Sequence, residues 1–223
     1  MKSTLIPFLR SNSVSNAHFR HVHPTRGVAG VYIYAQCRET STRVSDERGA
    51  DVSEGGYVSR RLLQLVMPVF PDRKMFRIHD PEVHPDSYGA PLPPVGVLVS
   101  ASREQLWVGS LQQDIDVRLV LEEWDGQPLL PDAWDEEAKA RLYLRGRLSV
   151  DMGSAGPAVS GLRLSGGVGN YEVRIYARYR ETVVQMYADL FSQHRDPLSD
   201  DFQREKRKLE GVERYLVQLW RDS

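Results

Sequence analysis

The sequence predicts a mainly β fold: an antiparallel β-sandwich of about eight strands, with one or two helices inserted before the last strand. Three observations lead there. Apolar and polar residues alternate at a period of two in several short runs, most regularly in "NYEVRIYARYR" (Asn170 to Arg180). There Tyr171, Val173, Ile175, Ala177 and Tyr179 alternate with Glu172, Arg174, Tyr176, Arg178 and Arg180. Gly- and Pro-bearing turns separate the runs at short intervals. After Arg180 the apolar period changes to that of a helix before returning to that of a strand.

The elements follow in order. Residues 1–29 read as an irregular arm, and residues 30–223 as a single domain. "GVYIYAQ" (Gly30 to Gln36) is a predicted strand, and the charged stretch Arg38 to Gly56 an exposed loop. "YVSRRLLQLVMPVF" (Tyr57 to Phe70) is a buried strand until Pro68 breaks it. His79 to Gly96 carries five prolines and is loop by composition. "VGVLVS" and "EQLWVGS" are short strands. "DIDVRLVLEEW" sets Ile115, Val117, Leu119 and Leu121 against Asp116, Arg118 and Glu122. "DGQPLLPDAW" turns the chain. "ARLYLRGRLSVDM" sets Leu142 and Leu144 against Arg141, Tyr143 and Arg145, and the glycines of "GLRLSGGVGN" suit a tight turn. "ETVVQMYADLFSQH" places Val183, Val184, Tyr187, Leu190 and Phe191 at helical spacing. "SDDFQREKRKLEG" has acids first, bases last and Gly211 as a stop. These two helices form an insertion over about 181–211, and "VERYLVQLW" is the closing strand.

With 223 residues the chain can bury a sizeable core without staples. A net charge of −1 and a pI near 6.6 give no global attraction to nucleic acid or anionic membrane. Cys37 is the lone cysteine, so no intramolecular disulfide forms. No run approaches the roughly 20 apolar residues of a membrane helix. The reading is a cytoplasmic protein.

The run from "DIDVRLVLEEWDGQPLLPDAWDEE" through "LRLSGGVGNYEVRIYARYR" to "ERYLVQLW" resembles a group of mostly uncharacterised bacterial β-sandwich proteins, similar in layout to competence protein J. The shared elements are a "WD" turn at Trp134 and Asp135, a "GxYxVR" element at Gly169, Tyr171, Val173 and Arg174, and a closing Tyr215, Leu216, Gln218, Leu219 and Trp220. The resemblance covers roughly residues 95–180 and 212–220; the helical insertion departs from it, as does Arg221 in place of a proline. It implies a nuclease-inhibitor-like or immunity-like protein, whose partner is another protein such as a nuclease or toxin.

"EEWDGQPLLPDAWDEE" carries Glu122, Glu123, Asp125, Asp132, Asp135, Glu136 and Glu137 with no Lys or Arg among them. Acids steer association with a basic cleft and buried aromatics anchor it. The expected partner-binding residues are therefore Trp124, Asp132, Trp134, Asp135 and Glu136, binding by occlusion with no catalytic residue, cofactor or metal. Two other readings have residues behind them. His79, Asp80, Glu82, His84 and Asp86, or the N-terminal His18, His21 and His23, have the chemistry to hold zinc or iron. The ladder arginines, with Arg141, Arg145 and Arg147 and the aromatics Tyr143 and Tyr176, could form a nucleic-acid sheet. The blander account of that face is Arg–Glu pairing across strands, which leaves the arginines as solubilising scaffold.

Overall fold

The computed structural model describes residues 59–83, 91–131, 133–194 and 196–222. The expected arm, the Gly30–Gln36 strand, the loop to Gly56, Cys37, the N-terminal histidines, His84, Asp86 and Asp132 lie outside them. Eight strands form one sheet: β1 Arg61–Val69, β2 Met75–His79, β3 Val99–Ala101, β4 Gln105–Gly109, β5 Val117–Trp124, β6 Glu136–Asp151, β7 Pro157–Arg178 and β8 Arg214–Arg221. Helices α1 (Arg180–Gln193) and α2 (Asp200–Arg207) precede β8. The order across the sheet is β1-β5-β8-β7-β6-β2-β4-β3.

The mainly β class and the helical insertion are as the sequence predicts. One pairing is not antiparallel: β5 and β8 run parallel, so the sheet is mixed. β1 continues through Pro68 instead of stopping there. It is an edge strand, where a missing N–H breaks no ladder. β2, "MFRIH", was not foreseen; it pairs with both β4 and β6.

The glycines of "LRLSGGVGN" do not turn the chain. β7 runs straight through them, and the real turn into β7 is Met152–Gly156, where the Met152 N–H bonds the Gly156 carbonyl at 2.9 Å. Between the pairs Arg145–Val168 and Arg147–Arg163 the ladder is interrupted. Gly146 (φ 82°) and Gly167 (φ 70°) face each other there in the left-handed region that glycine adopts freely. The bulge is pinned from β5: Glu123 carboxylate oxygens accept the Ser165 and Gly166 N–H groups at 2.9 and 2.7 Å.

Such interruptions let the sheet fold back on itself. Phe76 of β2 meets Tyr215 of β8 edge-on at 5.3 Å, although two strands separate β2 from β8 in the order. The inward faces therefore share one core. Tyr171, Val173, Ile175, Leu119, Leu142 and Leu144 all belong to it, as their alternation predicts. A satellite cluster of Ile115, Val183 and Leu209, with Tyr187 and Leu190 beside it, seats the helices.

A buried polar knot joins the sheet to this satellite. The Tyr215 hydroxyl lies 2.9 Å from the Gly109 carbonyl and 2.5 Å from Glu213 Oε1. Its single proton serves only one acceptor at a time. The Tyr215 O–H therefore donates either to the Glu213 carboxyl or to the Gly109 carbonyl. Gln112 Nε2 meanwhile donates to Glu213 Oε2 at 3.0 Å. Burial pushes the Glu213 carboxyl above its ordinary value, despite the hydrogen bonds and the Arg180 charge that lower it. Between the ordinary and the raised value the folded chain holds a proton that the unfolded chain has lost. Stability from this group is thus present at low pH and lost as pH rises through the raised value. Melting temperatures across that range should fall with rising pH, and Glu213→Gln should flatten that dependence relative to wild type. An identical slope in the variant would show the carboxyl ionised throughout.

Candidate interaction surface

The outward side chains of the central strands line up in rows. One row is polar: Gln64 of β1, Glu122 of β5, Gln218 of β8, Arg174 of β7 and Lys139 of β6 stand opposite one another in turn. The next is apolar, with Val66, Val120, Leu216 and Tyr176. A third is basic, with Arg118, Arg214 and Arg178.

A solvated face would leave these residues open, yet Glu122 is 5% exposed, Arg174 8% and Tyr176 3%. The β5–β6 connection lies over them. β5 is parallel to β8, and β8 and β6 are both antiparallel to β7, so β5 and β6 run the same way. The link from the end of one to the start of the other must cross β8 and β7. Residues 125–131 and 133–135 belong to that crossing, a strap that corrects the expected simple turn. Within it Pro128 is buried. Trp134 packs on Tyr176 at 6.1 Å, and an open cleft of about 460 Å³ is shared by Gly126, Gln127, Lys139, Arg174 and Trp220.

Glu122 is the hub of the polar row. Its carboxylate accepts from Arg61 at 2.8 Å, Gln64 at 2.9 Å, and Trp124 Nε1 and Gln218 Nε2 at 3.0 Å each. Arg174 lies over the Trp220 ring at 5.2 Å. Glu122 and Glu123, counted with the acidic surface in the sequence, are both buried.

The predicted partner-binding residues fall at opposite ends of the strap. Trp124 is half-buried against Arg61 and Glu122 where the strap leaves β5. Trp134, Asp135 and Glu136 stand where it enters β6. The Asp135 carboxylate accepts the Tyr179 N–H at 2.8 Å. Glu136 pairs at 2.6 Å with Arg180, whose side chain is 2% exposed. Neither tryptophan belongs to the main core. The strap instead turns Leu129 (85% exposed) and Leu130 (65%) to solvent. Reasoning from charge passed over them; the signal was "PLLP", two leucines bracketed by prolines in a segment too short to build a core of its own.

Cross-strand pairing holds on part of the arginine face. Arg141 bridges Glu172 and Asp222, and Arg145 bonds Glu104 at 2.8 Å. In the His79–Asp86 loop, Asp80 is fully buried and accepts the Arg145 and Glu82 N–H groups at 2.5 and 2.8 Å. It anchors the loop to β6. Desolvation lowers the His79 pKa below its ordinary value. Among the described residues no group of three or more His, Cys, Asp or Glu is disposed to hold a metal ion, and no helix is long and apolar enough to cross a membrane.

No family model and no curated protein matches the chain. Solved structures do. The crystal structure of ComJ from Bacillus subtilis, described as an inhibitor of the DNA degrading activity of NucA, is similar with a TM-score of 0.42 at 7% identity, covering 74% of this chain and 100% of that one. Crocagin biosynthetic gene J is similar with a TM-score of 0.43 at 14% identity, over 75% of this chain and 100% of that one.

Proposed function

We propose that this is a bacterial cytoplasmic partner-binding protein, inhibitor-like or immunity-like, that occludes another protein such as a nuclease or toxin and does not itself catalyse a reaction. The observation that carries the reading is the strap. A crossing segment needs only to span β8 and β7, yet this one presents two adjacent leucines to water. Adjacent apolar side chains held outward on a pinned segment mark an interaction surface, with neighbouring charges steering the approach. Trp124 and Trp134 hold the ends of the strap, and Asp132 and Asp135 are its steering charges, while the charge of Glu136 is balanced by its pair with Arg180.

A photo-crosslinking residue at position 130 identifies the partner, which is then purified and titrated. Occlusion predicts that the partner's activity falls to zero at a fixed stoichiometry. Leu129→Ser with Leu130→Ser should weaken binding about tenfold or more, a typical loss for a buried anchor pair. Full partner activity in the saturated complex, or unchanged affinity in the leucine variant, would overturn the reading.

A further inference from the structure

The basic row is a second surface, separate from the leucines of the strap. Arg118 stands directly opposite Arg214, and Arg214 directly opposite Arg178. Like charges in opposed positions destabilise a sheet unless something offsets them. No ion pair joins any of these arginines to a carboxylate among the described residues. Three acids close to the row are held by other groups: Asp135 by the Tyr179 N–H, Glu136 by Arg180 and Glu213 by Tyr215. Arg118 and Arg214 are exposed and Arg178 half-buried. The Tyr179 ring braces the row, with Arg178 at 4.6 Å and Arg214 at 6.0 Å from its centre. Guanidinium groups held this way are preorganised for bidentate bonds to carboxylates or phosphates.

The choice between those anions follows from the aromatics and the spacing. A sheet that binds nucleic acid needs free aromatic faces on which bases stack. Here Tyr179 lies under two guanidinium groups, Tyr143 under Arg103 and Arg145, and Tyr176 is buried. Strands about 4.8 Å apart place the outer two arginines of the row about 10 Å apart. On an α-helix, residues three or four apart lie about 5–6 Å from each other, and i and i+7 are separated by about 10.5 Å along the axis. We infer that the Arg118–Arg214–Arg178 row docks an acidic α-helix of a partner protein, with carboxylates at i, i+3 or i+4, and i+7.

The probe is a fluorescent alanine-rich helical peptide with glutamates at those positions, followed by anisotropy at low salt. Saturable binding is expected, weakened about tenfold by Arg118→Gln with Arg214→Gln and similarly by Arg178→Ala, and reduced by added salt. Relief of like-charge repulsion should leave the glutamine variant melting no lower than wild type, which separates lost binding from lost folding. Leu129→Ser with Leu130→Ser should bind the peptide as wild type does. Three results would overturn the inference: no saturable binding, equal binding of a peptide with the glutamates scrambled, or tighter arginine-dependent binding of an oligothymidylate.

Discussion

Val173→Asp should yield no folded protein. Val173 is 3% exposed, lies in the main core, and stands between Ala140 of β6 and Leu219 of β8. Removing the valine forfeits roughly 1.5–3 kcal/mol of burial, and an unpartnered carboxylate there adds several kcal/mol more. A typical domain has only about 5–15 kcal/mol in total. Val173→Ala, which deletes two methyl groups and introduces no charge, should fold with a lowered melting temperature. Circular dichroism of both variants checks the pair. A Val173→Asp protein melting like wild type would put that face of β7 in water.

Glu122→Leu should be the most damaging change on the outer face. It leaves the donors of Gln64, Trp124 and Gln218 without their acceptor, and it removes the partner of a half-exposed Arg61. Stranding one side of a buried charged network costs about 3–5 kcal/mol, and the exposure of Arg61 argues for the lower end. For a chain of this size about 3 kcal/mol is a drop of roughly 6–12 °C in melting temperature. Thermal denaturation gives the answer directly. A drop within a degree or two would mean that water already satisfies those donors, and that the strap does not seal the row.

The inward half of this architecture was legible because alternation encodes burial of one face. Leu119, Leu142, Val173 and Ile175 needed only a period of two to be placed. The outward half was not, because its burial depends on where a connection travels, and nothing local in "DGQPLLPDAW" says that it crosses two strands. Gly167 misled for a related reason: a bulge and a tight turn both ask for left-handed backbone, so the residue announces the conformation and not its purpose. Pro68 misled because only a neighbour on each side would make it a breaker, and β1 has a neighbour on one side. In the candidate site, acidity was visible in the composition, but not which carboxylates were already taken: Glu122 and Glu123 inside, Asp135 and Glu136 at the entry to α1. Of the basic row, Arg118 and Arg178 were legible as outward residues of separate strands, but their alignment with Arg214 was not, since the three meet only through register.

β8 sits between β5 and β7, in the interior of the sheet, although it follows both in the chain. Until it docks, two long strands present unsatisfied backbone to each other across an empty slot, and the core lacks Tyr215, Val217 and Leu219. Folding therefore closes on its most distant contacts, a topology that slows the search and lengthens the life of sticky intermediates. The acidic-to-basic helix α2 and the tightly held Glu213 immediately before β8 deliver that strand to its slot. Refolding should be slow, with hydrogen exchange in β5, β7 and β8 becoming protected together, because none of the three is complete alone.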